Sequence, residues 1–403
     1  MEKDPKVELA AFGGQSFSKV PIAPRPSIDE DEIQAVTEVL RSGKLSSLAG
    51  QVTAQFEREF ANYLGAKYAV ATSNGTAALH TALATLSVNP GDEVIVPAFT
   101  FVATASCVLH QDAIPVFADI DPDTFNTDPA DVRRKITDRT KAIIVVHLFG
   151  HPANMDEISE IAKEHGVYVL EDCAQSIGAL YNNRKVGTIG DIAAFSFYAT
   201  KNMTTGEGGM VVTNRGGLDE EARMVRNHGE VKRYNYVRLG YNYRMTEVQA
   251  AIGCAQLRKL DHFNSIRRRN AEIYSEELRD LDALTLPSEG TNVKHTWYLY
   301  SVGLNIEFLR TSRDEFVRLL RAENVPATVA YPSSLNTTTL FADLYNKGKR
   351  LPFYQNIRHS WGECPIAERT AERIFNLYTD PALSEDQIVT TAGAVRKVVR
   401  ALV

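Results

Sequence analysis

Between residues 65 and 215 short, wholly apolar runs alternate with stretches of helical spacing. The runs predict strands at 68–72, 93–96 (closed by Pro97), 115–118, 142–147, 167–170, 193–198 and 209–213. Helices are expected at 77–86, 100–110 and 155–165. Strands apolar on both faces and separated by helices build a mostly parallel mixed sheet sandwiched by helices, which is the α/β class. Upstream, residues 1–27 carry four prolines and the pair Gly13-Gly14, and read as an irregular arm. Ser27 is the expected N-cap of a first helix, with Glu30 at the capping-box position. After about residue 261 the texture changes to a charged helix over 266–281, a strand over 298–303, a helix over 312–324 and a closing helix over 385–403. The expected organisation is therefore an arm (1–27), a large domain (28–262) and a smaller α+β C-terminal domain (263–403).

Composition narrows the class without changing this picture. A net charge of -6 with no basic stripe argues against a nucleic-acid partner. No apolar run is long enough for a bilayer, and the first eleven residues lack the apolar core of a secretion signal. Cys107, Cys173, Cys254 and Cys364 are too dispersed for a zinc or iron–sulfur pattern, so no metal is expected. Isolated thiols suit a reducing cytoplasm.

In a parallel sheet, ligands gather beyond the carboxyl ends of the strands, so the loops that follow strands carry the candidate chemistry. Ser73-Asn74-Gly75-Thr76 leaves one strand and opens a helix. Gly75 permits close approach of a ligand, and a helix N-terminus offers free N–H groups to a phosphate; a plain strand-to-helix turn reads the same way. Glu171-Asp172 ends another apolar strand, where each carboxylate needs a partner. A protonated ring nitrogen would serve Asp172, as would the start of the next helix. Lys201 lies in the loop between two further strands, before a glycine-rich turn. A partly dry lysine forms Schiff bases, although most loop lysines are only solvated. Together these stretches supply what pyridoxal phosphate requires: a phosphate grip, a partner for the pyridine nitrogen and an amine for the aldehyde.

At these residues the chain resembles the fold-type I pyridoxal-phosphate enzymes, and specifically the DegT/StrS family of sugar and cyclitol aminotransferases. The stretches that carry the resemblance are SNGTAAL (73–79), GDEVIVPAFTFVAT (91–104), PVFADIDPDTFN (115–126), EDCAQSIGA (171–179), GDIAAFSFYATKNMTTGEGGMV (190–211) and GYNYRMTEVQAA (240–251). The resemblance implies that Lys201 tethers the cofactor and shuttles the proton, and that Asp172 pairs with the pyridinium. It further implies that Gln175 bonds the phenolic oxygen, that Gly75, Thr76 and Ser196 hold the phosphate, and that Phe101 stacks on the ring. Asn242 resembles a residue that reaches the phosphate of a neighbouring subunit, so a homodimer with shared sites is expected.

The implied reaction moves an amino group from L-glutamate or L-glutamine to a keto-sugar. The loop TKNMTTGEGG resembles the branch acting on 4-keto sugars more than the branch acting on 3-keto sugars, and a nucleotide-linked 4-keto-6-deoxy sugar is the expected acceptor. The arm, with Phe12-Gly13-Gly14, is instead similar to members acting on keto-cyclitols such as scyllo-inosose. Some members of the family are regulators, which leaves a non-catalytic role as an alternative of another class. Two departures stand out: Tyr298 and Asn336 occupy positions where many members carry histidine.

Overall fold

The computed structural model describes residues 8–342 and 363–403; residues 1–7 of the arm and 343–362 of the expected C-terminal domain lie outside it. Seven strands form the central sheet: β1 (Tyr68–Thr72), β2 (Glu93–Pro97), β3 (Ile114–Ala118), β4 (Thr140–Val146), β5 (Tyr168–Asp172), β6 (Ile192–Ser196) and β7 (Gly209–Thr213). Their spatial order is β1-β7-β6-β5-β4-β2-β3, and only β7 runs against its neighbours. Alternate residues feed two cores. Val94, Ala142, Ile144 and Val146 face one layer of helices, whereas Ile95, Ile143 and Val145 face the other. This two-sided burial explains the uninterrupted apolar runs. The central helix α1 (Gly75–Thr85) has nine of its residues buried, as a helix wedged between sheet and neighbouring helices must.

Two local expectations are corrected. The first helix begins at Glu30 with Asp29, rather than Ser27, as its N-cap, and Glu32 completes the capping box. Both registers satisfy the local rule; tertiary contacts select the later one. Glu32 is held by Gln256 and Lys259, and Gln256 also takes the Ser27 carbonyl. Second, the charged stretch 266–281 is the latter part of one helix, α2 (Glu247–Leu278), 32 residues long. At 1.5 Å per residue it spans about 48 Å. Ala250, Cys254, Leu257 and Leu260 pack in the large core, and Ala271, Tyr274 and Leu278 in a third core. The change in texture near residue 261 marks a change in what the helix packs against, and the chain stays helical through it.

The third core lies under a four-stranded antiparallel sheet of β8 (Leu284–Thr285), β9 (Leu299–Leu304), β10 (Ala327–Thr328) and β11 (Ile374–Tyr378), in the order β8-β9-β11-β10. Leu9 and Ile22 of the arm join this core, and the Ala10 and Phe17 N–H groups donate to the buried Glu323 carboxylate. All four cysteines are buried. Among the described residues no helix is long and apolar enough to cross a membrane.

Candidate active site

A cavity of about 830 Å³ opens at the carboxyl ends of β1, β2, β5 and β6, with the second sheet forming its far wall. That volume lies in the range of small-molecule sites. Lys201, Asp172, Ser196, Gly75 and Thr76 all line it, as do Phe101 and Gln175. Asn242 does not: it is exposed, in an isolated bridge to Asn227, and outside the cavity of its own chain. Seven of the eight residues singled out in the sequence thus meet in one place, although they are drawn from positions 75 to 201.

At one end of the cavity the 73–76 loop turns into α1. The Asn74 side chain caps the Ala77 N–H, and the first-turn N–H groups of Gly75 and Thr76 have no carbonyl within the helix to bond. Space here depends on glycine. A Cβ on Gly75 would lie 2.7 Å from Ser196 Cβ and 2.9 Å from its Oγ. One on Gly209, which pairs with Ser196 across β6 and β7, would strike the Asn74 carbonyl at 2.4 Å. The result is a cradle of N–H and hydroxyl groups at the positive end of a helix dipole, suited to a phosphate.

The two carboxylates that end β5 point to opposite faces of the sheet. Glu171 accepts from Gly187, Ile189 and Gly190 N–H groups and meets His147 Nε2 at 3.0 Å. Burial alone would raise its pKa, but His147 and these N–H donors outweigh burial and hold it below the ordinary value. His147 Nδ1 accepts the Ala153 N–H, so Nε2 is the protonated nitrogen. Cys173 lies near this pair, whose carboxylate and ring nitrogens already bond protein groups.

Asp172 faces the cavity. Thr104 Oγ1 donates to Oδ2 at 2.9 Å and the Ala174 N–H to Oδ1 at 3.1 Å. Burial raises its pKa, and these two bonds with the Lys201 charge offset burial only in part. The site therefore holds a desolvated carboxylate with capacity for one more cationic donor. Lys201 is half-buried, its Nζ 4.5 Å from the centre of the Tyr298 ring; Tyr298 Oη lies 2.8 Å from Thr200 Oγ1. Phe101 stands at the open rim, 57% exposed. The Gln175 carboxamide accepts from the Phe149 N–H and donates to Tyr331 Oη.

Thr104, Tyr298, Tyr331, His110 and Tyr243 also line the cavity, and the motifs assigned none of them a role. Thr104 closes the stretch 91–104, so its nearness to the chemistry had a signal in the sequence; its bond to Asp172 had none. Of the two departures noted above, Tyr298 lines the cavity. Asn336 donates to Glu368 instead and is not among the lining residues.

A mixed sheet of this order, with a buried aspartate ending β5 and a lysine between β6 and β7, defines a fold-type I transferase of the aminotransferase class. Residues 26–396 match the DegT/DnrJ/EryC1/StrS aminotransferase family, and the chain belongs to it. Across 377 residues it is 43% identical to GDP-perosamine synthase of Caulobacter vibrioides, covering 93% of this chain and 96% of that protein. It is 40% identical over 353 residues to the UDP-N-acetyl-3-dehydro-alpha-D-glucosamine 3-aminotransferase of Acidithiobacillus ferrooxidans, covering 87% and 90%. Among solved structures, S. venezuelae DesV in complex with a ketimine intermediate superposes with a TM-score of 0.84 at 34% identity, over 94% of this chain and 99% of that one. The protein is an aminotransferase.

Proposed function

We propose that this aminotransferase uses pyridoxal phosphate to move an amino group from L-glutamate or L-glutamine to a nucleotide-linked keto-sugar, with a 4-keto-6-deoxy sugar as the favoured acceptor. The observation that carries the reading is the convergence on one cavity of the Gly75–Ser196 cradle, the desolvated Asp172 and Lys201. These residues fit the cofactor. The cradle has donors and space for a phosphate, and Asp172 is an acceptor in search of a cation.

When bound, pyridoxal phosphate supplies an electron sink for breaking the carbon–hydrogen bond beside the amine. The protein does the rest. The N–H groups of Gly75 and Thr76 and the Ser196 hydroxyl bind the phosphate, and Phe101 covers one ring face. Asp172 keeps the ring nitrogen protonated. Lys201 Nζ would be the tether and, as a free neutral amine, would carry the proton between the amine-bearing carbon and the cofactor's carbonyl carbon. The Tyr298 ring, 4.5 Å from Nζ, offers a resting face inside the cavity while Nζ carries that proton.

A nucleotide-linked acceptor is favoured over a cyclitol because the two sequence relatives above are named for GDP- and UDP-linked chemistry. Converting the enzyme to its amine-loaded form and offering it nucleotide 4-keto and 3-keto sugars and scyllo-inosose tests this. Return of the visible-edge absorbance of the carbonyl form is expected with a nucleotide 4-keto-6-deoxy sugar; return with scyllo-inosose alone overturns the assignment.

The working unit we propose is a homodimer in a reducing cytoplasm. Asn242 lies outside its own cavity, and beside it a hairpin exposes Val231, Tyr234, Val237 and Leu239, an apolar surface suited to a second copy of the chain. In that dimer Asn242 reaches the partner's phosphate. Asn242→Ala should weaken cofactor binding roughly tenfold or more, the loss of one hydrogen bond to a charged group. Unaltered affinity, measured by titrating the apo-protein with pyridoxal phosphate, counts against the shared site.

A further inference from the structure

Gln175 is held by two groups that no motif connects to it. Its Oε1 accepts the Phe149 N–H at 2.7 Å, and its Nε2 lies 2.6 Å from Tyr331 Oη, 156 positions along the chain. Turning the carboxamide over would set its NH₂ against the Phe149 N–H, so its orientation is determined. An amide nitrogen only donates, which makes the Tyr331 oxygen the acceptor. Nε2 then keeps one uncommitted hydrogen, on a side chain that lines the cavity.

The two holding groups are themselves constrained. Phe149 sits in the left-handed region at φ 54°, a conformation that is costly for a non-glycine residue and persists only where the surroundings impose it. Its carbonyl accepts the Tyr298 N–H at 2.8 Å, and its ring stacks on Tyr331 at 5.9 Å and 24°. Phe99 meets Tyr331 edge-on at 5.5 Å. Tyr331 follows β10 of the second sheet, so the second sheet and the 148–150 turn close on Gln175 from two sides. Burial, together with the nearby Tyr298 hydroxyl and Asp172 carboxylate, pushes the Tyr331 phenol well above its ordinary pKa, and it stays neutral over the working range.

We propose that Tyr331 and the Phe149 peptide are positioning groups for Gln175, which orient its carboxamide so that the remaining N–H serves the phenolic oxygen of the cofactor ring. This rests on the pyridoxal-phosphate reading given above. Through Tyr331, the placement of the second sheet bears on the ring although no residue of that sheet need touch it.

The test compares wild type with Gln175→Ala, Tyr331→Phe and the double variant. It measures pyridoxal phosphate affinity of the apo-proteins by fluorescence titration and the pH titration of the bound cofactor's absorbance band. Tyr331→Phe keeps the stacked ring and removes only the hydroxyl, whose oxygen accepts from Gln175. Gln175→Ala should weaken binding about tenfold. Tyr331→Phe should weaken it about threefold and shift the absorbance titration in the same direction. The double variant should be no weaker than Gln175→Ala alone, because groups acting through one another are not additive. Losses that multiply, or a Tyr331→Phe protein identical to wild type while Gln175→Ala is impaired, overturn the proposal. Gln175→Ala without effect overturns it as well. A wild-type chain that binds no pyridoxal phosphate sinks the functional reading itself, so the two failures are separable. Unfolding midpoints of the apo-proteins identify any variant whose loss is merely structural, and in that event Tyr331→His, which restores a hydrogen-bonding ring atom, must recover the affinity for the proposal to stand.

Discussion

Replacing Lys201 by alanine should abolish covalent attachment of the cofactor and lower amino transfer by at least about 10³-fold, since in the proposed mechanism one amine performs both nucleophilic and acid–base work. The described surroundings offer no replacement amine. Among the described lining residues of the cavity no second lysine is present. The nearby Tyr298 and Thr200 hydroxyls bond one another, and neither can form a Schiff base. The measurement is borohydride reduction followed by peptide mass analysis. Wild type should carry the cofactor mass on the peptide containing Lys201, and Lys201→Ala should carry none. A variant that still traps the cofactor on the protein would show that another amine holds it. Loss of the Lys201 charge also removes one of the influences that restrain the Asp172 pKa, which should rise further in the variant.

Asp172→Asn is expected to separate stability from function. Burial raises the folded-state pKa of Asp172 above its unfolded value. The folded apo-protein therefore binds this proton more tightly than the unfolded chain. The sign follows: the favourable contribution is present below the unfolded carboxylate pKa, about 4, and is lost as pH rises through the folded value. At neutral pH the apo-protein keeps a desolvated carboxylate at a cost. Asparagine preserves the shape, accepts the Ala174 N–H and can donate to Thr104, without the charge. Apo Asp172→Asn should unfold at the same temperature as apo wild type or higher near pH 7, with the difference vanishing below about pH 4. With cofactor the order reverses, because a protonated ring nitrogen is the partner the carboxylate lacks. Cofactor should raise the wild-type unfolding midpoint more than that of the variant, and amino transfer should fall on the order of 10²–10³-fold, the scale of removing one preorganised electrostatic group. An apo variant less stable at every pH, with turnover retained, would assign Asp172 to packing alone.

The central sheet was readable because its strands are buried on both faces. The expected strands at 68–72 and 209–213 and the helix at 155–165 coincide with β1, β7 and Met155–His165. Errors collected where two local registers were equally good. Ser27 and Asp29 both fit a capping box, and only the contacts of Glu32 with Lys259 and Gln256 decide between them. The stretch after residue 261 looked like a fresh start because its exposed face becomes charged, while the backbone of α2 continues unbroken. The site divides in the same way. Gly75, Asp172, Ser196 and Lys201 lie at or just after strand ends, and a parallel sheet delivers all strand ends to one edge.

What the chain determined by itself is therefore the sheet class and seven of the residues that gather in the cavity. Strand burial and turn chemistry are local properties, written in consecutive residues. The order of the strands, the bond that Thr104 makes to Asp172, the place of Tyr298 against Lys201 and the grip of Phe149 and Tyr331 on Gln175 were decided only by the tertiary structure. Each of these joins groups tens to more than a hundred residues apart, and no pattern within either segment records the other. The partner of a buried polar group is selected by burial itself, which makes an unmet hydrogen bond costly only once the chain has closed around it.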